Sequence, residues 1–336
     1  MDKIELNDDW YYSDREYITN SMLGWVFSSP AYLYKKLYGK VEEEEESYYE
    51  FGRAVHMRLL EPALFAKTYY VPKYHRPVNS TQRMFCDFLI STEEKIDDEA
   101  LISAYKLSYS TKAESDTAIL KKAKKLYDTN LYYIEEVKAN SDKVFLSQSD
   151  YKRIKKIENN ISKHKRAASL IYGSGDGDIT SDLFNEEIIL FKGKDGIKMK
   201  SKIDKFIIDY NNKEVTIVEF KTHSVLREDQ NMKETFLKSF KKFNYDRQLF
   251  VYFLAVSYFI KEKLKMNPED FKFNFKAVVA KSNFDNEVRV FSINDRFIDE
   301  GAKKFDEALD AFYHYKTFGF DYPYGINDKL EEELKP

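Results

Sequence analysis

Lys200-Ser-Lys-Ile-Asp204 and Val218-Glu-Phe-Lys-Thr222 are the two stretches of the sequence that decide the fold. The segments around them, residues 203–210 and 213–220, are rich in β-branched and aromatic side chains, which favour β-strands. Asn211-Asn212 between the segments suits a two-residue type I′ turn. We therefore predict a β-hairpin built from these two segments.

The predicted turn also determines which residues of the hairpin face each other. Pairing Tyr210 with Lys213 puts Asp204 directly opposite Glu219, in a hydrogen-bonded pair whose Cα atoms lie about 5.5 Å apart. Two carboxylates that face each other repel, so we expect a compensating cation, and hard divalent ions prefer oxygen ligands of this kind. Because side chains alternate along a strand, Lys221 shares the face of Glu219.

An Asp followed on the next strand by Glu-x-Lys resembles the site pattern of the PD-(D/E)XK nuclease superfamily. In this sequence Asp204, Glu219 and Lys221 stand in the three positions. The pattern by itself also occurs by chance in Lys- and Glu-rich chains, and a solvent-facing hairpin with alternating charges would look the same. The flanking sequence therefore decides the interpretation.

The flanking segments resemble the RecE-like exonucleases (exodeoxyribonuclease VIII), in the branch of the superfamily that includes RecB nuclease domains and, more distantly, lambda exonuclease. Residues 52–62 match the G-x-A-x-H…L-L-E-P segment of that family. Gln248 and Tyr252 match its Q-x-x-x-Y helix, and residues 21–30 match its N-terminal S-x-L…S-P segment. The order of these elements along the chain makes the set specific.

The resemblance implies an α/β fold with a mixed central β-sheet flanked by helices, the core found in restriction endonucleases. Capping residues agree, because Ser29 and Pro30 suit the start of a helix and Gly39 its end. Further helices are predicted at 48–65, 228–264 and 294–317 and over most of 113–170, and further strands at 188–191, 273–281 and 286–293.

We predict one nuclease domain over residues 1–336, which has three parts. They are a helical N-terminal part at 1–65 that carries His56, a mostly helical insertion at 66–182 and a catalytic core at 183–320. Hydrophobic residues make up 43% of the chain and aromatic residues 16%, which argues against disorder. Cys86 is the only cysteine, so an internal disulfide and a four-cysteine iron–sulfur cluster are both excluded.

A metal site with Mg²⁺ or Mn²⁺ as the cofactor is also implied by the resemblance. The implied ligands are His56, Asp204, Glu219, the backbone carbonyl of Phe220 and, as a further acidic residue ahead of the Asp strand, Glu187. The implied catalytic residues are Asp204, Glu219 and Lys221, of which Lys221 would orient the attacking water and stabilise the transition state. A hydrogen-bonded helix histidine at position 56 and a solvated Glu186-Glu187 pair are the alternatives. Gly52, one turn before His56, would let the helix backbone approach a neighbouring element.

Polar residues close to these positions are predicted to contact DNA. The net charge of −3 does not by itself indicate a nucleic-acid-binding protein, but local cations can hold phosphates, and residues 238–247 mix cations with aromatic side chains. The predicted DNA contacts are Thr222, Lys241, Lys242, Arg247, Gln248 and Tyr252. For Gln248 and Tyr252, a partly buried polar pair on a core helix is the alternative.

By resemblance, the chain is expected to be a metal-dependent exonuclease that degrades linear double-stranded DNA from its ends, 5′ to 3′, in phage-type recombination. The family further implies a ring-shaped homo-oligomer and a RecT-like single-strand annealing protein as a partner. The alternatives are a RecB-type structure-specific or restriction endonuclease, a catalytically inactive DNA-binding protein and, last, a structural phage protein.

The sequence predicts no association with a membrane. The longest apolar run, residues 249–260, is shorter than the roughly 20 residues that span a bilayer. No secretory signal opens the chain, so we expect a cytoplasmic protein of a bacterium or a phage-infected host cell.

Overall fold

The computed structural model describes residues 6–39, 47–74, 76–77, 79–92, 95–111, 114–173, 181–193 and 196–320. Within these ranges the strands are β1 (Tyr69–Tyr70), β2 (Val144–Phe145), β3 (Ser181–Lys192), β4 (Lys198–Asp209), β5 (Glu214–His223), β6 (Lys272–Lys281) and β7 (Val288–Ile293). The helices are α1 (Asp8–Ser13), α2 (Asn20–Trp25), α3 (Pro30–Tyr38), α4 (Ser47–Leu60), α5 (Pro62–Thr68), α6 (Ser80–Ser91), α7 (Asp98–Ser108), α8 (Asp116–Lys138), α9 (Gln148–Lys163), α10 (Lys165–Tyr172), α11 (Met232–Lys242), α12 (Tyr245–Glu262) and α13 (Asp295–Phe318).

The chain divides into two compact units. One is formed by Met1–Glu61 together with Lys155–Pro336, and the other by Pro62–Ile154. The larger unit contains the five-stranded sheet, in the order β3-β4-β5-β6-β7, and the smaller unit contains the parallel pair β1-β2. The prediction of one nuclease domain with a helical insertion at 66–182 stays a prediction.

The sheet of the larger unit is mixed and is flanked by helices. Strands β5 and β6 run parallel, whereas the other neighbouring strands run antiparallel. Helix α12 packs against β3 and β4, where the Phe259 ring meets Phe184 and Phe206 edge to face with centroids 5.1 and 5.5 Å apart. The predicted α/β fold class is therefore confirmed.

The hairpin of β4 and β5 has the predicted register. Phe206 pairs with Ile217 and Ile208 pairs with Val215, and all four side chains are buried in the core. A shift by one residue would turn these apolar side chains to the opposite face of the sheet. The apolar pattern of the two strands therefore specifies the register.

The turn of this hairpin differs from the prediction. The last paired residues are Asp209 and Glu214, so four residues connect the strands rather than two. A type I′ turn needs positive φ at both central residues, but in this connection only Lys213, with φ +52°, has it. The Asp209 carboxylate accepts hydrogen bonds from the backbone N and the Nδ2 of Asn212 and holds the longer turn. The type I′ prediction was therefore wrong, although the pairing beyond the turn is unchanged.

The N-terminal segment is anchored along β4. Lysines at alternate positions of this strand form ion pairs with acidic residues of the segment: Lys198 with Glu16, Lys200 with Asp14 and Lys202 with Asp8. Lys200 is fully buried, and its Nζ lies 4.8 Å from the centre of the Trp10 ring, a cation–π contact. These contacts hold α1 beside the part of β4 that leads to Asp204.

Helices α3 and α4 follow the sequence pattern closely. The Ser29 side chain accepts a hydrogen bond from the Tyr32 backbone N and caps α3, as predicted. The helix predicted at 48–65 is interrupted before Pro62, which disfavours helical geometry in the residue that precedes it. A Cβ atom at Gly52 would lie 3.2 Å from the Thr222 Oγ1, so α4 approaches β5 as closely as predicted.

The smaller unit is helical and has its own core. Helices α6, α7 and α8 pack around the fully buried Phe85, Cys86 and Leu89. Burial raises the pKa of the Cys86 thiol to about 11, so it packs as a small apolar side chain. Among the described residues of the whole chain, no helix has the length and apolar character that crossing a membrane requires.

Candidate functional site

Three carboxylates stand in one row across the sheet, on three neighbouring strands. Glu186 is not itself paired, but the pairs on either side of it in the β3-β4 ladder place it level with Asp204. The pairing of β4 with β5, continued by one residue beyond Lys205 and Val218, puts Asp204 opposite Glu219. Asp204 is 7% exposed and Glu219 is 3% exposed. Buried carboxylates this close together repel each other, so the row needs positive charge.

Glu186 departs from regular strand geometry. Its φ of +50° lies in the left-handed region, which a residue other than glycine rarely adopts. It is also the one position between Ser181 and Lys192 that does not pair in the β3-β4 ladder. Strained backbone of this kind concentrates at functional sites, where the surrounding structure enforces it.

His56 of α4 lies between two of the carboxylates. Its Nδ1 is 2.8 Å from Glu186 Oε1, and its Nε2 is 3.0 Å from Asp204 Oδ2. Burial lowers the pKa of His56, but the Asp204 and Glu186 carboxylates outweigh burial and raise that pKa to about 10. Without a metal ion, a protonated imidazole therefore compensates part of the negative charge of the row.

Lys221 supplies the second compensating charge. Its Nζ forms an ion pair with Glu219 Oε1 and lies 5.0 Å from the centre of the Tyr245 ring. Burial lowers the pKa of Lys221, but Glu219 and Asp204 raise it more strongly, so the ammonium stays charged. Burial and the Asp204 charge raise the pKa of Glu219 to about 7.

Asp204 is the carboxylate that the site stabilises in its charged form. Burial raises its pKa, but His56 and Lys221 lower the pKa by more, with a net decrease. The Phe220 backbone N also donates a hydrogen bond of 2.8 Å to Asp204 Oδ2. Asp204 is thus held as an anion at the centre of the row.

A divalent cation fits this set of donors. One ligand atom each from His56, Glu186 and Asp204 lies within 4.8 Å of the others. Despite the ion pairs described above, neither oxygen of Glu219 nor Oε1 of Glu186 has a hydrogen bond of regular geometry, although these atoms are buried. Such oxygens are costly to bury unless a cation satisfies them, and a set of carboxylates with one imidazole suits Mg²⁺ or Mn²⁺.

The structure brings Glu186, rather than the predicted Glu187, next to His56 and Asp204. Glu187 pairs with Ile203, one step along the ladder from Asp204, and side chains alternate between the two faces of a sheet. Burial raises the pKa of Glu187, and the cation that lowers it is Lys263, which is not part of the row. Glu186, opposite Asp204, reaches His56 instead.

We predict that Glu186→Gln weakens Mn²⁺ binding at least about tenfold, because it removes the charge of a carboxylate that faces the ion. Glu187→Gln is the matched control on the next residue, and its Mn²⁺ affinity should stay within about twofold of that of the unmodified chain. Isothermal titration calorimetry on both variants measures the difference. Equal losses in the two variants would contradict this assignment of the ligand.

Two of the predicted DNA contacts lie inside the protein. Arg247 is 3% exposed, and its Nε donates to Asn20 Oδ1 at 2.9 Å, so it ties α12 to α2. Tyr252 is 4% exposed, and Gln248 Nε2 donates a hydrogen bond of 2.8 Å to its Oη. Neither side chain can reach a DNA strand from these positions. The alternative of a polar pair on a core helix describes Gln248 and Tyr252 better.

The other predicted DNA contacts are accessible to different degrees. Lys241 and Lys242 are exposed at the end of α11, and Thr222 is partly exposed where α4 approaches β5. Tyr252 lies close enough to the row that the Glu219 and Asp204 charges, after burial, raise its pKa well above the ordinary value. Tyr252 is therefore part of the buried surroundings of the carboxylate row. Lys241 and Lys242 remain candidates for contact with DNA.

The sequence analysis missed two residues of the site, Lys202 and Tyr245. Lys202 Nζ lies 3.0 Å from Glu186 Oε2 and 2.7 Å from Asp8 Oδ1. Burial lowers its pKa, but Glu186 and Asp8 raise the pKa more, so Lys202 is a third cation beside the row. Its position two residues before Asp204, on the same face of the strand, was a signal that could have identified it.

This chain is similar to one protein family and to several solved structures. A family model described as a PDDEXK-like domain of unknown function (DUF3799) matches residues 19–320. Five chains of solved structures match, among them the crystal structure of a "Putative exonuclease" from Eubacterium rectale. That protein is 14% identical, with a TM-score of 0.49, and the match covers 99% of this chain and 97% of the other. No curated protein matches the sequence.

Proposed function

Because the chain belongs to the PDDEXK-like family DUF3799, and so to the PD-(D/E)XK nucleases, we propose that it is a metal-dependent DNA exonuclease. The observation that carries the proposal is the row of Glu186, Asp204 and Glu219 with His56 and Lys221 at its sides. In this arrangement every polar position of the superfamily pattern is filled. A catalytically inactive DNA-binding protein is therefore disfavoured.

His56, Glu186 and Asp204 would hold the ion, since their ligand atoms lie within 4.8 Å of one another. Glu219, opposite Asp204 on β5, and the Phe220 carbonyl would be the further ligands on the side of β5. When bound, a divalent ion lowers the pKa of a bound water and stabilises charge on the scissile phosphate. The Phe220 backbone N fixes the orientation of the Asp204 carboxylate through its hydrogen bond. His56 would be neutral as a ligand, so ion binding releases the proton that the imidazole otherwise carries.

Lys221 would act on the phosphate or on the attacking water. Its ammonium stays charged next to Glu219, so it can stabilise the negative charge that develops on the phosphoryl oxygens, or orient the water. The Tyr245 ring, whose centre is 5.0 Å from Nζ, restricts where this flexible side chain points. Lys221 thus joins the proposed metal site to the substrate.

The resemblance to RecE-like enzymes supports the choice of an exonuclease. Residues 52–62 of this chain match a segment of that family and include His56 of the site. The same resemblance supports a 5′ to 3′ direction, double-stranded DNA ends as the substrate and a role in phage-type recombination. The ring-shaped homo-oligomer and the RecT-like partner stay predictions of the resemblance.

End dependence is the prediction that tests the exonuclease proposal. With Mg²⁺, linear duplex DNA should be degraded to mononucleotides while a covalently closed circle of the same sequence survives, and EDTA should stop the reaction. An enzyme that must capture a terminus has no starting point on a circle. Gel analysis of both substrates, with duplexes labelled at either 5′ end, also measures the direction.

Two results would change the proposal. Rapid internal cutting of the closed circle would favour the RecB-type endonuclease over the exonuclease. DNA binding without any metal-dependent cleavage would favour the inactive DNA-binding protein.

A further inference from the structure

The Lys202 ammonium lies where three carboxylates converge. Its Nζ is 2.7 Å from Asp8 Oδ1, 3.0 Å from Glu186 Oε2 and 3.8 Å from Glu61 Oε2. The three acids come from separate parts of the chain, namely α1, β3 and the residue between α4 and α5. Only 11% of the Lys202 side chain is exposed. Carboxylates that converge in this way on a sheltered point commonly surround a divalent cation, whereas here they surround an ammonium.

Glu186 connects this point with the proposed metal site. Its Oε1 faces His56 at 2.8 Å, and its Oε2 faces Lys202 at 3.0 Å. One carboxylate thus has an oxygen on each of two neighbouring cation positions. Enzymes that use two metal ions place them about 3.5–4 Å apart, a separation that a single carboxylate can bridge.

We propose that Lys202 takes the place of a second metal ion, so that the site binds one divalent ion per chain. The inference rests on the proposed function, since it assumes an ion between His56, Glu186 and Asp204. The ammonium has the charge and the three donors to satisfy the outer oxygens. It leaves Glu186 Oε1 for the metal and repels a second divalent ion at its own position.

The structure around Lys202 supports a positioning role. The Lys202 backbone N donates a hydrogen bond of 3.3 Å to Tyr11 Oη, and Lys200, two residues earlier, is held by Asp14. These contacts attach α1 to β4 and bring Asp8 to the ammonium. Lys202 therefore holds Glu186 by the oxygen that faces away from His56, so its role in the site is to position that carboxylate.

Counting bound Mn²⁺ ions tests the proposal. The full chain, freed of metal, is titrated with Mn²⁺ by calorimetry and by electron paramagnetic resonance, as wild type and as Lys202→Met and Lys202→Arg. We expect one ion for wild type and for Lys202→Arg, which keeps the positive charge. Lys202→Met keeps the aliphatic stem but frees three carboxylates, so we expect two ions and the signal of a spin-coupled pair.

A double variant tests whether the extra ion binds at the position of the Lys202 ammonium. Adding Asp8→Asn to Lys202→Met removes one of the freed carboxylates, and the count should fall back to one. Thermal unfolding of each variant verifies that it is folded, and Lys202→Gln replaces Lys202→Met if the methionine variant is not.

The outcomes separate the two proposals. Two ions in wild type, or one ion in the folded variant that lacks the charge, would overturn the role of Lys202 and leave the metal-dependent nuclease intact. No Mn²⁺ binding by wild type would overturn the proposed function and this inference with it.

Discussion

Asp204→Asn is expected to reduce metal-dependent DNA cleavage by on the order of 10³-fold or more. Asp204 is the central residue of the carboxylate row and is held as an anion by His56, Lys221 and the Phe220 backbone N. Asparagine keeps the shape and one hydrogen-bond acceptor but loses the charge that attracts the ion. Cleavage of linear duplex DNA and calorimetric Mn²⁺ titration measure the two effects.

The stability of this variant distinguishes a site defect from unfolding. Without metal, the loss of the ion pair with His56 is offset by the relief of repulsion from Glu186 and Glu219, so the thermal unfolding temperature should be retained or raised. Asp209→Asn is the matched control on the same strand, because Asp209 binds Asn212 in the turn. A purified Asp204→Asn protein that cleaves near the wild-type rate would show that the site is wrongly placed.

Lys221→Ala should reduce the cleavage rate by on the order of 10²-fold or more while Mn²⁺ affinity is retained. The substitution removes a cation that acts in the transition state but leaves every proposed metal ligand in place. Single-turnover cleavage and Mn²⁺ titration, measured on the same preparation, separate the chemical step from binding of the ion.

Lys241→Ala is the control variant, because it removes a positive charge outside the proposed metal site. Lys241 is exposed at the end of α11, so its loss should affect DNA affinity without changing the single-turnover rate at saturating DNA. If Lys221→Ala shows the same pattern, with a small loss of rate and a large loss of DNA affinity, Lys221 is a phosphate anchor rather than a catalytic cation.

Local sequence was enough to predict the hairpin and the adjacency of Asp204 and Glu219. Alternation of apolar residues with a period of two specifies which face of each strand is buried, and a short connection leaves few registers open. The turn type was missed because the Asp209 side chain stabilises a longer connection. The register is the predicted one, because the observed four-residue connection and the predicted two-residue turn lead to the same pairs of residues.

Tertiary structure decided that Glu186, rather than Glu187, lies next to Asp204 and His56. Two adjacent glutamates point to opposite faces of a strand, so the choice between them depends on the pairing of β3 with β4 and on the contact with His56 of α4. The left-handed conformation of Glu186 cannot be read from its residue type. Conformations of this kind persist only where the surrounding structure enforces them.

The sequence by itself determined the elements and the chemical character of this protein: strand period, helix caps, one hairpin register and a set of acidic, basic and imidazole side chains. Beyond the hairpin pair of Asp204 and Glu219, tertiary structure alone decided which of these side chains meet. Arg247 and Tyr252, which were predicted to contact DNA, are buried inside the protein. The packing of α1 against β4 brings Asp8 to Lys202 across 194 positions of the chain. Caps and strand period arise from neighbours along the chain, whereas burial and long-range ion pairs depend on how the elements pack, which no local pattern specifies.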